Sequence, residues 1–242
     1  MLMSVFLLNK QPVFPSPHLA EPDGLLAVGG DLGPLRLLEA YRQGIFPWYG
    51  PEDPILWWSP HPRMVLFPQA LHVSRRLQRR IRSGKFLLSA DTAFSQVITA
   101  CAAVPGRQGG GTWLSVEMQE AYILLHQLGF AHSIECWHKN TLVGGLYGVT
   151  LDRVFFGESM FSAVTDASKV ALVALVQQAI RCSIGLIDCQ VSSAHLERLG
   201  AEEIERDHFL RLLGELIRRP HPQEKWRLPY TGKEGNGRAD AK

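Results

Sequence analysis

AHSIECWHKNTLVGGLYGVTLDRVFFGESMFS, residues 131–162, decides the fold. Three runs rich in apolar, β-branched and aromatic residues, 131 to 137, 142 to 150 and 154 to 161, are divided by the short polar turns HKN and DR. That is the pattern of an antiparallel meander. Upstream, Met118, Ala121, Tyr122 and Leu125 recur at helical spacing between Ser115 and Leu128, and Gly129 supplies a stop. Downstream, Asp166 is placed to cap a helix running to about Ile180, whose apolar run Val170 to Val176 implies burial on more than one side. Gly185 to Val191 reads as a central strand, and helices are expected near 194 to 199 and 207 to 219. The order predicts an α/β domain whose mixed sheet is covered by helices.

The first half reads differently. Residues 14 to 62 are rich in Pro, Gly and aromatics and suggest a Trp-rich loop layer around one short helix, bracketed by Pro34 and Gly44, with Leu35, Leu38 and Tyr41 facing inward. Ser74 is placed to cap a second helix ending before Gly84. Leu77 and Ile81 lie on one side of it and Arg75, Arg76, Arg79, Arg80 and Arg82 on the other, with no acidic residue from His72 to Lys85. A third helix follows Asp91 and carries Phe94, Val97 and Ile98. VPGRQGGG, Val104 to Gly111, interrupts the periodicity and reads as a mobile loop or a domain junction. The expected division is an N-terminal Trp/Pro-rich and basic-helix domain over 1–103, a larger domain over 104–232 and a tail over 233–242.

Composition narrows the function classes. With 46% apolar and 20% charged residues the chain is neither disordered nor highly charged, so it should fold. A net charge of +2 does not by itself establish nucleic-acid binding, so the arginine face matters more than the total. Cys101, Cys136, Cys182 and Cys189 form no C-x-x-C pair and read as buried thiols in a reducing compartment, without a metal. No stretch has the length of a membrane span and no signal-peptide pattern opens the chain, so a cytoplasmic protein is expected. The glycines of LVGGLYGV fit neither a phosphate loop nor a dinucleotide-binding turn, and G-x-S-x-G is absent.

Two strands carry unexpected polar residues. In LIDCQV, alternation puts Leu186, Asp188 and Gln190 on one face, so a carboxylate and an amide point together; alternatively Asp188 caps a neighbouring element and Gln190 satisfies a buried carbonyl. In VFFGESMFS, Phe156, Glu158 and Met160 share one face and Phe155, Ser159 and Phe161 the other. Gly157 either admits a ligand beside Glu158 or marks a bulge. Glu158 itself fits an internal ion pair or a backbone acceptor as well as substrate recognition, and Met160 fits core packing. His132 and His195 are open between site and core roles. The arginines at 75, 76, 79 and 80 form a patch able to meet successive phosphates or, equally, to stay solvated or bind an acidic protein.

The motifs GDL, YRQGIFPWY, PILWWSP, GTW, AHSIECW, LVGGLYGV, FFGESMFS, ASK and LIDCQV, in that order, resemble the bacterial leucyl/phenylalanyl-tRNA–protein transferases over about residues 12 to 229. The resemblance implies a small N-terminal domain joined to a GCN5-related acyltransferase-like domain. It implies leucyl- or phenylalanyl-tRNA as donor, with methionyl-tRNA as a further one, no cofactor, and an acceptor protein beginning with Arg or Lys that then enters regulated proteolysis. By the same resemblance, Asp188 and Gln190 match the proposed catalytic pair and Glu158 the active-site glutamate. Trp113 and Tyr41 match residues around the donor's 3′ adenosine and the entrance, and Leu146, Met160, Ser162 and Leu175 the apolar amino-acid pocket. Arg75, Arg76, Arg79 and Arg80 would meet tRNA phosphates, with the protein acting as a monomer. A CoA-dependent N-acetyltransferase and a non-enzymatic tRNA-binding adaptor are the alternatives.

Overall fold

The structure is a computed structural model that describes residues 5–104 and 114–228. In chain order its elements are β1 (Phe6–Leu8), β2 (Leu25–Gly29), α1 (Pro34–Arg42), β3 (Phe46–Pro47), β4 (Leu56–Trp58), β5 (Arg63–Leu66), α2 (Arg75–Arg82), β6 (Leu87–Ala90), α3 (Phe94–Ala102) and α4 (Val116–Gln127). Then follow β7 (Ala131–His138), β8 (Thr141–Leu151), β9 (Val154–Ser162), α5 (Ala167–Arg181), β10 (Leu186–Gln190), α6 (Ala194–Glu197), β11 (Glu202–Ile204) and α7 (Arg206–Leu216).

The meander forms as its turns predict: Lys139, Asn140 and Asp152 adopt the left-handed backbone that tight hairpins need. It supplies three adjacent strands of a seven-stranded sheet ordered β11-β5-β10-β9-β8-β7-β6, in which β9 and β10 alone run parallel. A parallel pair needs a crossover, and α5 provides it. Gly144 permits the close seat of α5 on the sheet, since a Cβ there would lie 2.6 Å from that of Ala167. One apolar cluster, with α1, α3, α4 and α7, covers one face, and a second, with α5 and Leu77 of α2, covers the other. The result is the mixed sheet covered by helices that the order of elements predicts.

Three expectations are corrected. The Trp-rich region is not a layer of loops but a second, four-stranded sheet ordered β1-β2-β4-β3, closed around the fully buried Trp57, whose Nε1 donates to the Gly29 carbonyl at 2.8 Å. Its strands are two to five residues long and broken by Pro and Gly, too short for alternation to be legible. On α1, Leu35 is 75% exposed, while Leu37, Ala40 and Tyr41 turn inward beside Arg36, which bonds the Asn9 carbonyl. The division at residue 104 also separates strands that belong together. β5 lies between β10 and β11, and β6 pairs with β7, so both belong to the large sheet. Inside that sheet β5 satisfies backbone groups of strands on both sides, which a separate N-terminal domain would leave unpaired.

Helix starts follow local chemistry at two sites. Ser74 Oγ accepts from the Leu77 N–H at 3.3 Å, and Ser115 Oγ from the Met118 N–H at 3.2 Å. Met118, Tyr122 and Leu125 of α4 then face the sheet. Asp166 occupies the cap position of α5 but makes no capping bond; it sits at φ 72°, and its carboxylate turns to Lys169, Arg76 and Arg80 instead.

Candidate active site

β9 and β10 pair only at Val154 with Leu186, Phe155 with Ile187 and Phe156 with Asp188. Beyond that, β10 stays with β5, where Gln190 faces Met64, and β9 stays with β8, where Ser162 faces Gly144. The sheet therefore forks. Each arm carries a bulge at the crotch, β9 at Glu158 and β10 between Asp188 and Gln190. Opposite the β9 bulge, a Cβ on Gly148 would come within 2.1 Å of the Phe156 carbonyl oxygen, so only glycine fits.

The bulges change which side chains share a face. Phe156 and Phe161 lie in one cluster with Tyr41 and Tyr122, whereas Phe155 and Met160 pack toward α5. Met160 is thus not on the face of Phe156, because one extra residue on β9 inverts the alternation. Glu158, at the bulge, bridges the fork. Gln190 Nε2 donates to its Oε1 at 2.9 Å, and Tyr122 Oη donates to its Oε2 at 2.7 Å. The Tyr41 and Tyr122 hydroxyls are 2.6 Å apart. Either hydroxyl can donate to the other in that contact.

This environment sets proton affinities. Desolvation pushes the Glu158 carboxyl up to about 7, and the Asp188 charge adds to the rise, while the bonds from Tyr122, Tyr41 and Gln190 favour the ionised form. Burial, with the Glu158 charge next, raises Tyr41, Tyr122 and Tyr147 well above the usual phenol range. The tyrosines therefore remain donors at neutral pH, and Glu158 is poised to exchange a proton there.

Asp188 is placed differently from the alternation reading. It is fully buried, and Arg63 grips it with two bonds, Nε to Oδ1 at 2.8 Å and Nη2 to Oδ2 at 2.7 Å. The Gln190 backbone N–H donates to Oδ1 at 2.9 Å. Asp188 and Gln190 do not point together as free groups, because the bulge between them breaks the two-residue period and Gln190 sits at φ 65°. The Arg63 guanidinium lies 4.8 Å from the Phe46 ring centre and 4.7 Å from that of Phe209. Arg63 and Tyr122 are the members of this centre that sequence reasoning missed. Arg63 opens the buried run RMVL, and a cation in an inner strand requires a buried anion, a signal readable in retrospect.

Comparison with known proteins gives this centre a family. Residues 65–214 match the model of the leucyl/phenylalanyl-tRNA protein transferases, and residues 30–61 match that of their N-terminal domain. A leucyl/phenylalanyl-tRNA–protein transferase of Anaeromyxobacter dehalogenans (strain 2CP-C) is 54% identical over 232 residues, covering 95% of this chain and 99% of its own. One of Nitrosospira multiformis is 56% identical over 221 residues, covering 90% and 95%. The chain belongs to the leucyl/phenylalanyl-tRNA protein transferase family. It is accordingly an aminoacyltransferase. Among solved structures, a GCN5-related N-acetyltransferase from Kribbella flavida superimposes with a TM-score of 0.40 at 12% identity, covering 70% of this chain and 60% of that one.

The other residues matched to the transferase family fall into three places. Leu146 faces Met160 across β8 and β9, and both pack with Leu175 of α5, Leu146 and Leu175 being almost fully buried. Ser162 stands apart from them at the exposed end of β9, where its hydroxyl donates to the Val164 carbonyl and accepts from the Ser168 N–H. Tyr41 is buried in the tyrosine chain rather than exposed at an entrance. Trp113 lies outside the described residues. His132 is away from the fork, bonded to Asp91 and stacked on Trp226.

On α2, Arg75, Arg76 and Arg79 are exposed and Arg80 is partly so. The stretch has no acid of its own, but Arg76 and Arg80 each lie 3.6 Å from Asp166. Burial opposes ionisation of Asp166, yet Lys169, Arg76 and Arg80 hold its carboxyl below the usual range. No group of three His, Cys, Asp or Glu side chains suited to a metal ion occurs among the described residues, and no helix there is long and apolar enough to cross a membrane.

Proposed function

We propose that this chain moves Leu or Phe, with Met as a further donor, from charged tRNA to the α-amine of proteins beginning with Arg or Lys, acting as a cytoplasmic monomer and marking them for degradation. The observation that carries the reading is the Glu158 carboxyl at the mouth of the β9/β10 fork, with a proton affinity near neutrality and donors on both oxygens. An α-ammonium has a reference pKa of about 8, so a carboxylate titrating near 7 is well matched to orient it and accept its proton.

The aminoacyl ester is already activated, and transfer needs no other energy source. The neutral α-amine attacks the ester carbonyl, a C–N bond forms, the C–O bond to the tRNA ribose breaks, and the proton lost by nitrogen ends on the departing hydroxyl. Before the attack, Glu158 takes the extra proton of the ammonium form and then holds the neutral amine. Gln190, bonded to Glu158, keeps the carboxylate in place and presents its amide to the polar transition state. Asp188 acts from behind Gln190, since it has no exposed surface. Leu146, Met160 and Leu175 would receive the donor's apolar side chain beneath α5, Trp113 would meet its terminal adenosine, and Tyr41 would act from within, through Tyr122 and Glu158.

The test is a purified assay offering charged tRNA and acetyl-CoA to peptides beginning with Arg, Lys or Ala, read by mass spectrometry. The expected product is one added Leu or Phe on the Arg and Lys peptides only. Acetylation without an added amino acid would overturn the reading. Replacing Arg75, Arg76, Arg79 and Arg80 together by Gln should weaken charged-tRNA binding and lower its log–log salt slope by about 0.7 to 0.9 for each phosphate no longer neutralised. Turnover at saturating tRNA should change far less, and an unaltered slope in the folded variant removes this face from tRNA binding.

A further inference from the structure

We propose that Arg63 is a positioning residue for aminoacyl transfer: acting through Asp188, it holds the left-handed backbone of Gln190 so that the Gln190 amide stays aimed at Glu158. The proposal rests on the transferase reading of the same fork. Its starting point is the φ of 65° at Gln190, a region unfavourable for any residue with a Cβ. Such a conformation persists only where neighbours over-determine it. The contact that does so is the Gln190 N–H donating to Asp188 Oδ1, a bond from a side chain to the backbone two residues on. An aspartate making that bond alone would be free to rotate.

Arg63 removes the freedom. Its two bonds fix both the direction and the plane of the Asp188 carboxylate, which a lysine ammonium would not do. The guanidinium is itself held by Phe46 of β3 and Phe209 of α7, and the backbone pairing of β5 with β10 sets the distance between the partners. The chain of constraint therefore runs from two rings to Arg63, to Asp188, to the Gln190 backbone, and from the Gln190 amide 2.9 Å to Glu158. A buried ion pair is weak support for stability by itself, so its geometry is the property to test.

The experiment uses the full chain, charged tRNA and an Arg-starting peptide, with single-turnover rates at saturating substrates for the parent, Arg63→Lys, Asp188→Asn and the double variant. Transfer by the parent is measured first; its absence is a failure of the transferase reading and is seen before any variant is made. Arg63→Lys should keep charged-tRNA and peptide affinity while the single-turnover rate falls about 10- to 100-fold, the scale of a roughly 1 Å misplacement. Added to Asp188→Asn it should cause little further loss, because both variants break one chain of constraint. A purely structural role would lower the melting temperature while leaving the rate per folded molecule at the parental value, and that result overturns the proposal, as do additive losses. Should Arg63→Lys not fold, Phe46→Leu loosens one wall of the guanidinium site and leaves the ion pair intact. A rate reduced by about 3-fold or more at unchanged affinity supports the proposal on the same scale of misplacement, and a parental rate overturns it.

Discussion

The large sheet buries two carboxylate centres, and they are built on opposite terms. At the β6/β7 edge, Asp91 accepts from the Ser133 N–H at 2.8 Å and the Trp226 N–H at 2.6 Å and is bonded to His132. Glu135, also fully buried, accepts from Ser89, Thr92 and Ser133 hydroxyls. The donors come from the same strands, the adjoining turn and the C-terminal segment, and strand pairing there is continuous. At the β9/β10 fork, Asp188 is matched by a cation, Glu158 has hydroxyl and amide partners among the described residues, and strand pairing ends beside them. A buried acid alone is thus no mark of a reaction centre. On the reading proposed above, the mark is an acid whose proton affinity reaches neutrality where the sheet opens.

The sharpest way to break the comparison is Glu158→Gln. It keeps the shape and removes the proton acceptor, so single-turnover transfer should fall about 10²- to 10³-fold while the protein stays folded by circular dichroism. Near-parental transfer would dissolve the distinction between the two centres. Next in size is Asp91→Asn, whose amide cannot accept from all of the donors now meeting the carboxylate. It should destabilise by about 1 to 3 kcal/mol in urea unfolding while the rate per folded molecule remains parental. A lost rate at full stability would make the edge centre part of the chemistry.

A third test concerns pH. A carboxyl raised from about 4.5 to about 7 on folding binds its proton more tightly in the native state, so its contribution to stability is complete below about 4.5 and is lost as pH rises through about 7. Between about pH 5 and pH 8 the parental melting temperature should therefore fall relative to that of Glu158→Gln. Parallel curves for the two proteins would contradict the raised proton affinity.

What was legible in the sequence follows the range of the forces involved. The meander, α4 and its Ser115 start, and the central strand at 186–190 are written in local periodicity and turn chemistry, and the structure has them. Glu158 and Gln190 were legible as polar residues in apolar strands. The bulge that unites them was only half legible, since Gly157 offered it as one of two readings while the constrained glycine is Gly148, on the neighbouring strand. Arg63 was missed because its partner is 125 residues away, beyond any periodicity. The break placed at residue 104 failed for the same reason: composition changes there, but β5 and β6 are recruited across it by pairing.

The inner position of β5 also governs how the molecule is made. Its partners Asp188 and β11 leave the ribosome long after it does, a lag of about 6 to 25 s for 125 residues at about 5 to 20 residues per second. Throughout that interval the nascent chain carries an unpaired strand whose apolar residues Met64, Val65 and Leu66 have no cover, a surface that chaperones bind. A chain stalled before residue 188 has neither fork nor ion pair, so no product ending there can carry the centre.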